Sequence, residues 1–149
     1  MGESRIIIID DDESIRKILA TILEEEGYEV DTANTGKEAI QKTNERVYNL
    51  ALIDMRLPDI EGIDLLLKIK DTTPRMRKII ITGYPTIQNA MEAVNRQADA
   101  FILKPFDMEK TLQTIREQLK KQDEEKQFSQ DKVTAFIETR AKELEMQTG

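Results

Sequence analysis

Short apolar runs alternate with longer amphipathic stretches between residues 5 and 121. The runs at 5–9, 28–33, 49–53, 78–81 and 100–103 have the length and the β-branched content of strands. The stretches between them repeat apolar residues at intervals of three and four, as amphipathic helices do. This alternation predicts five βα units.

The helices can be placed from their apolar faces and their caps. In the first helix the apolar face is formed by Ile15, Ile18, Leu19, Ile22 and Leu23, and the helix is expected to end at Gly27. The second should begin at Thr35, where Glu38 has the spacing of a capping box, and the fifth should begin after Asp107. In the third and fourth helices the apolar positions are Ile63, Leu66, Leu67, Ile87, Ala90, Met91 and Val94.

Five βα units with short connections predict one α/β domain over residues 4–121. Its expected core is a doubly wound, five-stranded parallel sheet in the flavodoxin-like order 2-1-3-4-5. Residues 122–149 are expected to form a C-terminal helical extension or linker. Residues 120–127 are almost wholly polar, which indicates a solvated helix or a hinge, and Ser129 could cap a further helix that carries Val133, Phe136, Ile137, Ala141 and Leu144.

Composition narrows the chemistry available to this chain. The 149 residues carry a net charge of −7 and include neither Cys nor His. Thiol chemistry, disulfides and histidine bases are therefore excluded within the chain. Direct nucleic-acid binding is not expected, because no sustained basic block is present. No apolar run is long enough for a signal peptide or a membrane span, so we expect a cytoplasmic protein that does not bind membranes.

Polar side chains follow four of the predicted strands. They are Asp10, Asp11 and Asp12 after the first, Asp54 after the third, Thr82 after the fourth and Lys104 after the fifth. Parallel strands would bring all of these groups to one edge of the sheet. Clustered carboxylates need a cation to remain ionised, and oxygen ligands favour Mg²⁺. Such a site suits phosphoryl transfer to a carboxylate.

The segments IIIIDDDESIR, LALIDMRLPDIEG, IIITGYPT and FILKPF resemble the defining motifs of response-regulator receiver domains, in particular those of the nitrogen-regulatory type. This resemblance extends over about residues 4–121. It implies that Asp54 accepts the phosphoryl group. Asp11, Asp54 and the backbone carbonyl of Arg56 would bind Mg²⁺ directly, and Asp10 would act through water. Thr82 and Lys104 would contact phosphoryl oxygens.

The resemblance also implies a switch and a set of partners. Thr82 and the aromatic residue Phe101 would change position together, and the output surface would be formed by the fourth helix, the fifth strand and the fifth helix. The phosphoryl donor would be a histidine kinase or a phosphotransferase, and the target a downstream protein or an effector domain. Homodimerisation is included among the expected interactions. The chain would be a single-domain regulator or the front piece of a longer protein, and it would catalyse only its own phosphorylation and dephosphorylation.

The chain departs from the usual pattern of that family in three respects. Phe101 replaces the frequent Tyr, and Gln97-Ala98 replaces Gly-Ala before the fifth strand. Arg56 and Tyr84 are large residues at positions that tune hydrolysis of the acyl phosphate, and we hypothesise that they slow it. An unchanged dephosphorylation rate after substitution of both by small residues would reject this hypothesis. The resemblance also favours a cis bond between Lys104 and Pro105.

Other interpretations of the same residues remain open at this stage. A haloacid-dehalogenase type of phosphohydrolase would use Asp10 and Asp12, with Thr82 and Lys104, but it would leave Asp54 without a role. A nucleotide-binding flavodoxin-like module would need a glycine-rich phosphate loop after the first strand, where acids stand instead. A degenerate receiver that acts only as an interaction module would not need the full set of acids and the lysine. Asp12 alone is best interpreted as a helix N-cap.

Overall fold

The computed structural model describes residues 4–83 and 86–148. The strands are β1 (Arg5–Ile9), β2 (Glu29–Ala33), β3 (Leu50–Asp54), β4 (Arg77–Thr82) and β5 (Ala100–Leu103). They form one five-stranded sheet in the order β2-β1-β3-β4-β5, and all of its neighbouring strands are parallel. The predicted fold class and strand order are therefore confirmed, and each predicted strand lies within one residue of the observed bounds.

Five helices connect and follow these strands. They are α1 (Glu13–Glu25), α2 (Gly36–Glu45), α3 (Gly62–Lys68), α4 (Ile87–Asn95) and α5 (Met108–Thr148). Alternate side chains of the central strands point to opposite faces of the sheet, as strand geometry requires. Ile7 and Ile9 pack in a cluster with residues of α2, α3 and α4, whereas Ile6 and Ile8 pack with residues of α1 and α5. The sheet is thus buried on both faces, which explains its nearly continuous apolar strands.

The caps predicted from the sequence are largely present. Asp12 accepts a hydrogen bond from the amide of Ile15, and Thr35 accepts one from the amide of Glu38. The carboxylate of Glu38 accepts from the amide of Asn34 at 2.9 Å, so the second half of the capping box is displaced by one residue. Helix α1 is closed after Glu25 by Gly27, which has a φ of 94°, and the amide of Tyr28 donates to the carbonyl of Leu23 as in a Schellman motif.

Helix α4 differs from the expectation. Its predicted apolar positions Ile87, Met91 and Val94 are exposed by 82, 62 and 65%, whereas Ala93 is its buried residue. A helix with only one small buried side chain covers the sheet edge with little contact area. The apolar periodicity of α4 therefore marks a surface and not the core.

Helix α5 also differs from the expectation, because it continues to Thr148 without a break. Ser129 lies inside this helix and does not cap a new one. The stretch contains no Gly or Pro, and its Lys, Glu and Gln residues are good helix formers, so nothing local ends the helix. The predicted boundary between the domain and its extension at residue 121 falls within this helix.

The first turns of the extension are anchored to the amino-terminal edge of the sheet. The side-chain amide of Gln122 donates to the carbonyls of Asn49 and Arg75 at 2.9 and 2.8 Å. Glu125 bonds to the buried guanidinium of Arg77. From residue 123 to residue 147 every side chain is exposed. In the described part of the chain, no helix combines the length and the apolar character needed to cross a bilayer.

Candidate functional site

Four strands bring the predicted site residues to one edge of the sheet. Ile9 pairs with Ile53 in the strand register, so Asp10 and Asp54 leave neighbouring strands at the same level. Thr82 pairs with Leu103, and the amide of Lys104 donates to the carbonyl of Thr82 at 2.8 Å. The carboxyl ends of β1, β3, β4 and β5 therefore surround one crevice, as expected for an open α/β sheet.

Three carboxylates and one ammonium group meet in this crevice. Asp10, Asp11 and Asp54 each place a carboxylate oxygen within 4.8 Å of the others. The Lys104 Nζ lies 3.6 Å from Asp54 Oδ1 and 3.8 Å from Asp10 Oδ2. Both distances are too long for good hydrogen bonds but short enough for strong electrostatic attraction. The predicted clustering of the acids and the lysine is thus present in the geometry.

The electrostatics of Asp10 are compatible with a cation-binding role for the cluster. The side chain of Asp10 is 1% exposed, and within the described residues its Oδ2 has no hydrogen-bond partner. Burial raises the pKa of Asp10 to about 6, and the nearby charges of Asp54 and Asp11 add to this effect. The Asp12 amide and Lys104 oppose it only in part. A divalent cation bound by these oxygens would remove the repulsion, and their hard oxygen chemistry fits Mg²⁺.

The loop between β1 and α1 holds the acidic pair in place. The amide of Asp12 donates to Asp10 Oδ1 at 2.9 Å. The guanidinium of Arg16 donates to the backbone carbonyl of Asp10 at 2.7 Å. Helix α1 begins at Glu13, directly after the acids, so no room is left for an inserted flap. This arrangement disfavours the haloacid-dehalogenase alternative.

The loop after β3 packs tightly against Asp54. The amide of Arg56 lies 3.4 Å from Asp54 Oδ1, and the backbones of Arg56 and Glu61 pair in an isolated antiparallel β-bridge. A Cβ atom added at Gly62 would lie 2.3 Å from the carbonyl oxygen of Asp54, so only glycine fits there. Asp59 accepts the amides of Gly36 and Lys37 at 2.8 and 2.9 Å, which ties this loop to helix α2.

The two predicted switch residues lie near the crevice on adjacent strands. Thr82 is buried at the end of β4. Phe101 lies in β5, opposite Ile80, and is partly buried against the cluster formed with α2, α3 and α4. The peptide bond between Lys104 and Pro105 is cis, as the resemblance favoured. Tyr84 lies outside the described residues.

Arg16, Asp59 and Gly62 were not found by sequence reasoning. Arg16 and Asp59 act through hydrogen bonds to backbone groups of other segments, and such pairings leave no periodic signal in a single sequence. The glycine in DIEG gave a local turn signal, but the close approach of its backbone to Asp54 could not be predicted from that signal.

Comparisons with known proteins agree with this architecture. The model of the response regulator receiver domain matches residues 6–116. The transcriptional regulatory protein ZraR of Klebsiella oxytoca is 37% identical over 114 residues, which is 76% of this chain and 26% of ZraR. The chain thus spans about a quarter of the length of this curated relative.

Two solved structures are also similar. The CheY-like response regulator receiver domain protein of Methanospirillum hungatei JF-1 is 43% identical, with a TM-score of 0.79 over 83% of this chain and 99% of that one. A response regulator protein from Burkholderia pseudomallei, solved with a phosphorylated aspartic acid, calcium ion and citrate, is 31% identical. Its TM-score is 0.69 over 74% of this chain and 65% of that one. Its sheet, its acidic crevice and these matches together show that this chain belongs to the family of response regulator receiver domains.

Proposed function

We propose that Asp54 is the phosphoacceptor of this receiver domain. The observation that supports this proposal best is that Asp54 lies within reach both of the acidic pair and of the ammonium of Lys104, which is 3.6 Å from Asp54 Oδ1. Asp10 is less accessible to a phosphoryl donor, because it is 1% exposed against 7% for Asp54 and one of its oxygens is held by the amide of Asp12. The phosphorylated aspartic acid of the similar Burkholderia pseudomallei protein is consistent with this assignment.

The proposed reaction is transfer from a phosphohistidine of a histidine kinase or a phosphotransferase. The donor is another chain or domain, because the present sequence contains no histidine. A carboxylate oxygen of Asp54 forms the new P–O bond, the P–N bond of the donor breaks, and the imidazole leaves with a proton taken up from solvent. The chain catalyses only its own phosphorylation and dephosphorylation, so it is a switch and not an enzyme that turns over an external substrate.

We assign the Mg²⁺ site to Asp10, Asp11, Asp54 and the backbone carbonyl of Arg56. The unpartnered oxygen of Asp10 and the mutual proximity of the acids support this set. Asp11 and Asp54 would be direct ligands, and Asp10 would act through water. Bound Mg²⁺ would neutralise the negative charge that accumulates when a phosphoryl group approaches the carboxylates.

Lys104 and Thr82 are proposed to bind the transferred group. The Lys104 ammonium is already attracted to Asp54, so it would need to move little to pair with a phosphoryl oxygen. Thr82 ends the strand next to Asp54, where its hydroxyl would donate to another phosphoryl oxygen. A shift of Thr82 would then be followed by rotation of Phe101, which lies on the adjacent strand.

The output surface is proposed to be the face formed by α4, β5 and α5. Exposed apolar side chains lie there, at Ile87, Met91 and Val94 of α4 and at Leu103 of β5. A groove of about 290 Å³ is lined by β5, including Leu103, and by the first turns of α5. This surface would contact a downstream target protein or an attached effector domain. We include a homodimer of this chain among the proposed interactions.

The proposed function is tested by incubating the chain with acetyl phosphate, with Mg²⁺ or with EDTA, followed by intact mass and site mapping. We expect one added phosphoryl group on Asp54, only in the presence of Mg²⁺. Asp54→Asn should abolish the addition, whereas Asp71→Asn, which changes an exposed carboxylate outside the crevice, should not. Phosphate on Asp10 would instead support the phosphohydrolase alternative, and no addition at all would contradict the proposal.

A further inference from the structure

The side chain of Asp11 has little to hold it in place. It is exposed, and no hydrogen bond to its carboxylate is found among the residues that the structure describes. Asp10 differs, because its side chain is buried and accepts the amide of Asp12. The direction of the Asp11 carboxylate therefore depends on the backbone that carries it.

That backbone is fixed on both sides of Asp11. The peptide after Asp11 is held because the amide of Asp12 donates to Asp10 Oδ1 at 2.9 Å. The peptide before Asp11 is held because the carbonyl of Asp10 accepts a 2.7 Å hydrogen bond from the guanidinium of Arg16. The backbone of Arg16 is fixed in turn, since its amide donates to the carbonyl of Asp12 at 3.0 Å in the first turn of α1.

We propose that Arg16 is a positioning residue of the cation site, which fixes the backbone of Asp11 so that its carboxylate meets the strict geometry of Mg²⁺. This inference rests on the proposed function, because it takes Asp11 as a direct ligand. A charge-assisted hydrogen bond to a carbonyl is strong and directional, so it orients the peptide group that carries the carbonyl. Residues that orient metal ligands in this way typically change metal affinity by about 10- to 100-fold when they are replaced.

If Arg16 positions Asp11, its replacement should change cation affinity differently than if Arg16 acted only through its positive charge. Removal of a positive charge beside an acidic crevice should by itself strengthen cation binding. Loss of a positioning contact should weaken it. Mg²⁺ demands near-ideal octahedral geometry, whereas Ca²⁺ tolerates irregular ligand positions, so misplacement of Asp11 should affect Mg²⁺ more than Ca²⁺.

The test measures the dissociation constants of the full chain for Mg²⁺ and for Ca²⁺ by isothermal titration calorimetry. Arg16→Met should weaken Mg²⁺ binding about tenfold and Ca²⁺ binding only about two- to threefold. Arg16→Lys retains the charge but replaces the rigid guanidinium, which donates through Nη1, with an ammonium on a flexible stem, and it should show the same selective loss. Lys17→Met is the matched control, because Lys17 carries the same charge and pairs only with Glu13 in the described structure.

The outcomes separate this inference from the proposed function. Mg²⁺ binding that is unchanged or tighter in Arg16→Met, or equal losses for both cations, would overturn the role of Arg16. If Arg16→Met does not fold, the selectivity of Arg16→Lys decides in the same way. Failure of the unmodified chain to bind Mg²⁺ or to become phosphorylated on Asp54 would instead remove the proposed function itself.

Discussion

At the scale of single residues, the turn before β5 is formed by an unfavourable residue. Gln97 has a φ of 73°, and it is the only residue other than glycine with a positive φ in the described chain. Its amide and that of Ala98 donate to the carbonyls of Val94 and Ala93, which is the Schellman pairing that Gly27 adopts after α1. The turn therefore forms although Gln stands where glycine would be the easier choice.

Replacing Gln97 with glycine should raise the free energy of unfolding by about 1 kcal/mol, because a left-handed conformation is strained for residues that carry a Cβ atom. Urea unfolding followed by circular dichroism would measure the change. Gln113→Gly provides the control, since this exposed position lies inside α5 and the same substitution there should lower stability by about 1 kcal/mol. Equal or lower stability of Gln97→Gly would contradict the assignment of strain.

Lys78 is a second unusual residue, because its side chain is only 2% exposed. Burial lowers the pKa of its ammonium, and Nζ donates only a 3.3 Å hydrogen bond to the carbonyl of Leu66. Asp71, at 3.9 Å, is largely exposed and compensates weakly. A buried charge with weak partners costs stability.

Lys78→Met should therefore stabilise the fold, by about 1 kcal/mol near neutral pH. The folded pKa lies below the unfolded value of 10.5, so the unfolded chain retains the proton to higher pH. The parent chain then gains stability as the pH rises from the folded pKa towards 10.5, and the advantage of Met shrinks there. Thermal unfolding at about pH 7 and about pH 10 would show whether the difference narrows as expected.

At the scale of elements, the strands and the turns were predictable and the role of two helices was not. Nearly continuous apolar runs define β1, β3 and β4, because these strands are covered on both faces. The acids, Thr82 and Lys104 could be placed together because strand direction follows from the βα alternation. The apolar face of α4 could not be assigned to the surface, since periodicity does not reveal which neighbour an apolar face meets.

Helix α5 carries one contact that the sequence did not reveal. The polar residues at 120–127 predicted a solvated helix or a hinge, and they form a largely exposed helix, but Gln122 is buried and satisfies backbone carbonyls at the edge of the sheet. Such a polar anchor leaves no hydrophobic signal. The first turn after residue 121 therefore packs on the sheet.

Truncation should locate this boundary. A chain that ends at residue 121 loses the hydrogen bonds of Gln122 and one of the two acidic partners of the buried Arg77, and we expect it to be destabilised by about 2 kcal/mol or more. A chain that ends at residue 126 keeps these contacts, and the residues from 127 to 147 that it loses are all exposed, so its stability should change by no more than about 0.5 kcal/mol. Urea unfolding of the two chains compares them directly. Equal stability would show that the anchor contributes nothing.

At the scale of the whole molecule, Asp99 connects the segments that meet at the amino-terminal edge of the sheet. Its carboxylate accepts hydrogen bonds from Arg75, Arg77 and the amide of Lys78. Burial alone would raise the pKa of Asp99, but hydrogen bonds from Arg75 and the Lys78 amide, together with both guanidinium charges, hold it below 3.8. The contribution of Asp99 to stability is therefore present above 3.8 and is lost as the pH falls through the folded pKa.

Asp99→Asn should destabilise the molecule by about 3 kcal/mol at neutral pH, because it leaves the buried guanidinium of Arg77 poorly compensated. The difference from the parent chain should shrink as the pH falls below 3.8, where the carboxylate of the parent also becomes protonated. Unfolding followed over a series of acidic buffers would measure both effects. Asp123→Asn, at an exposed position, serves as the control, and an identical pH profile for all three chains would contradict this account.

Strand β4 begins at Arg77, which bonds to Glu125 of the long helix, and ends at Thr82, beside the acidic crevice. At about 3.3 Å per residue, its five steps span about 17 Å. A single covalent segment thus joins opposite ends of the sheet. An axial movement of this strand would therefore displace Arg77 and, through its ion pair with Glu125, the first exposed turns of the projecting helix.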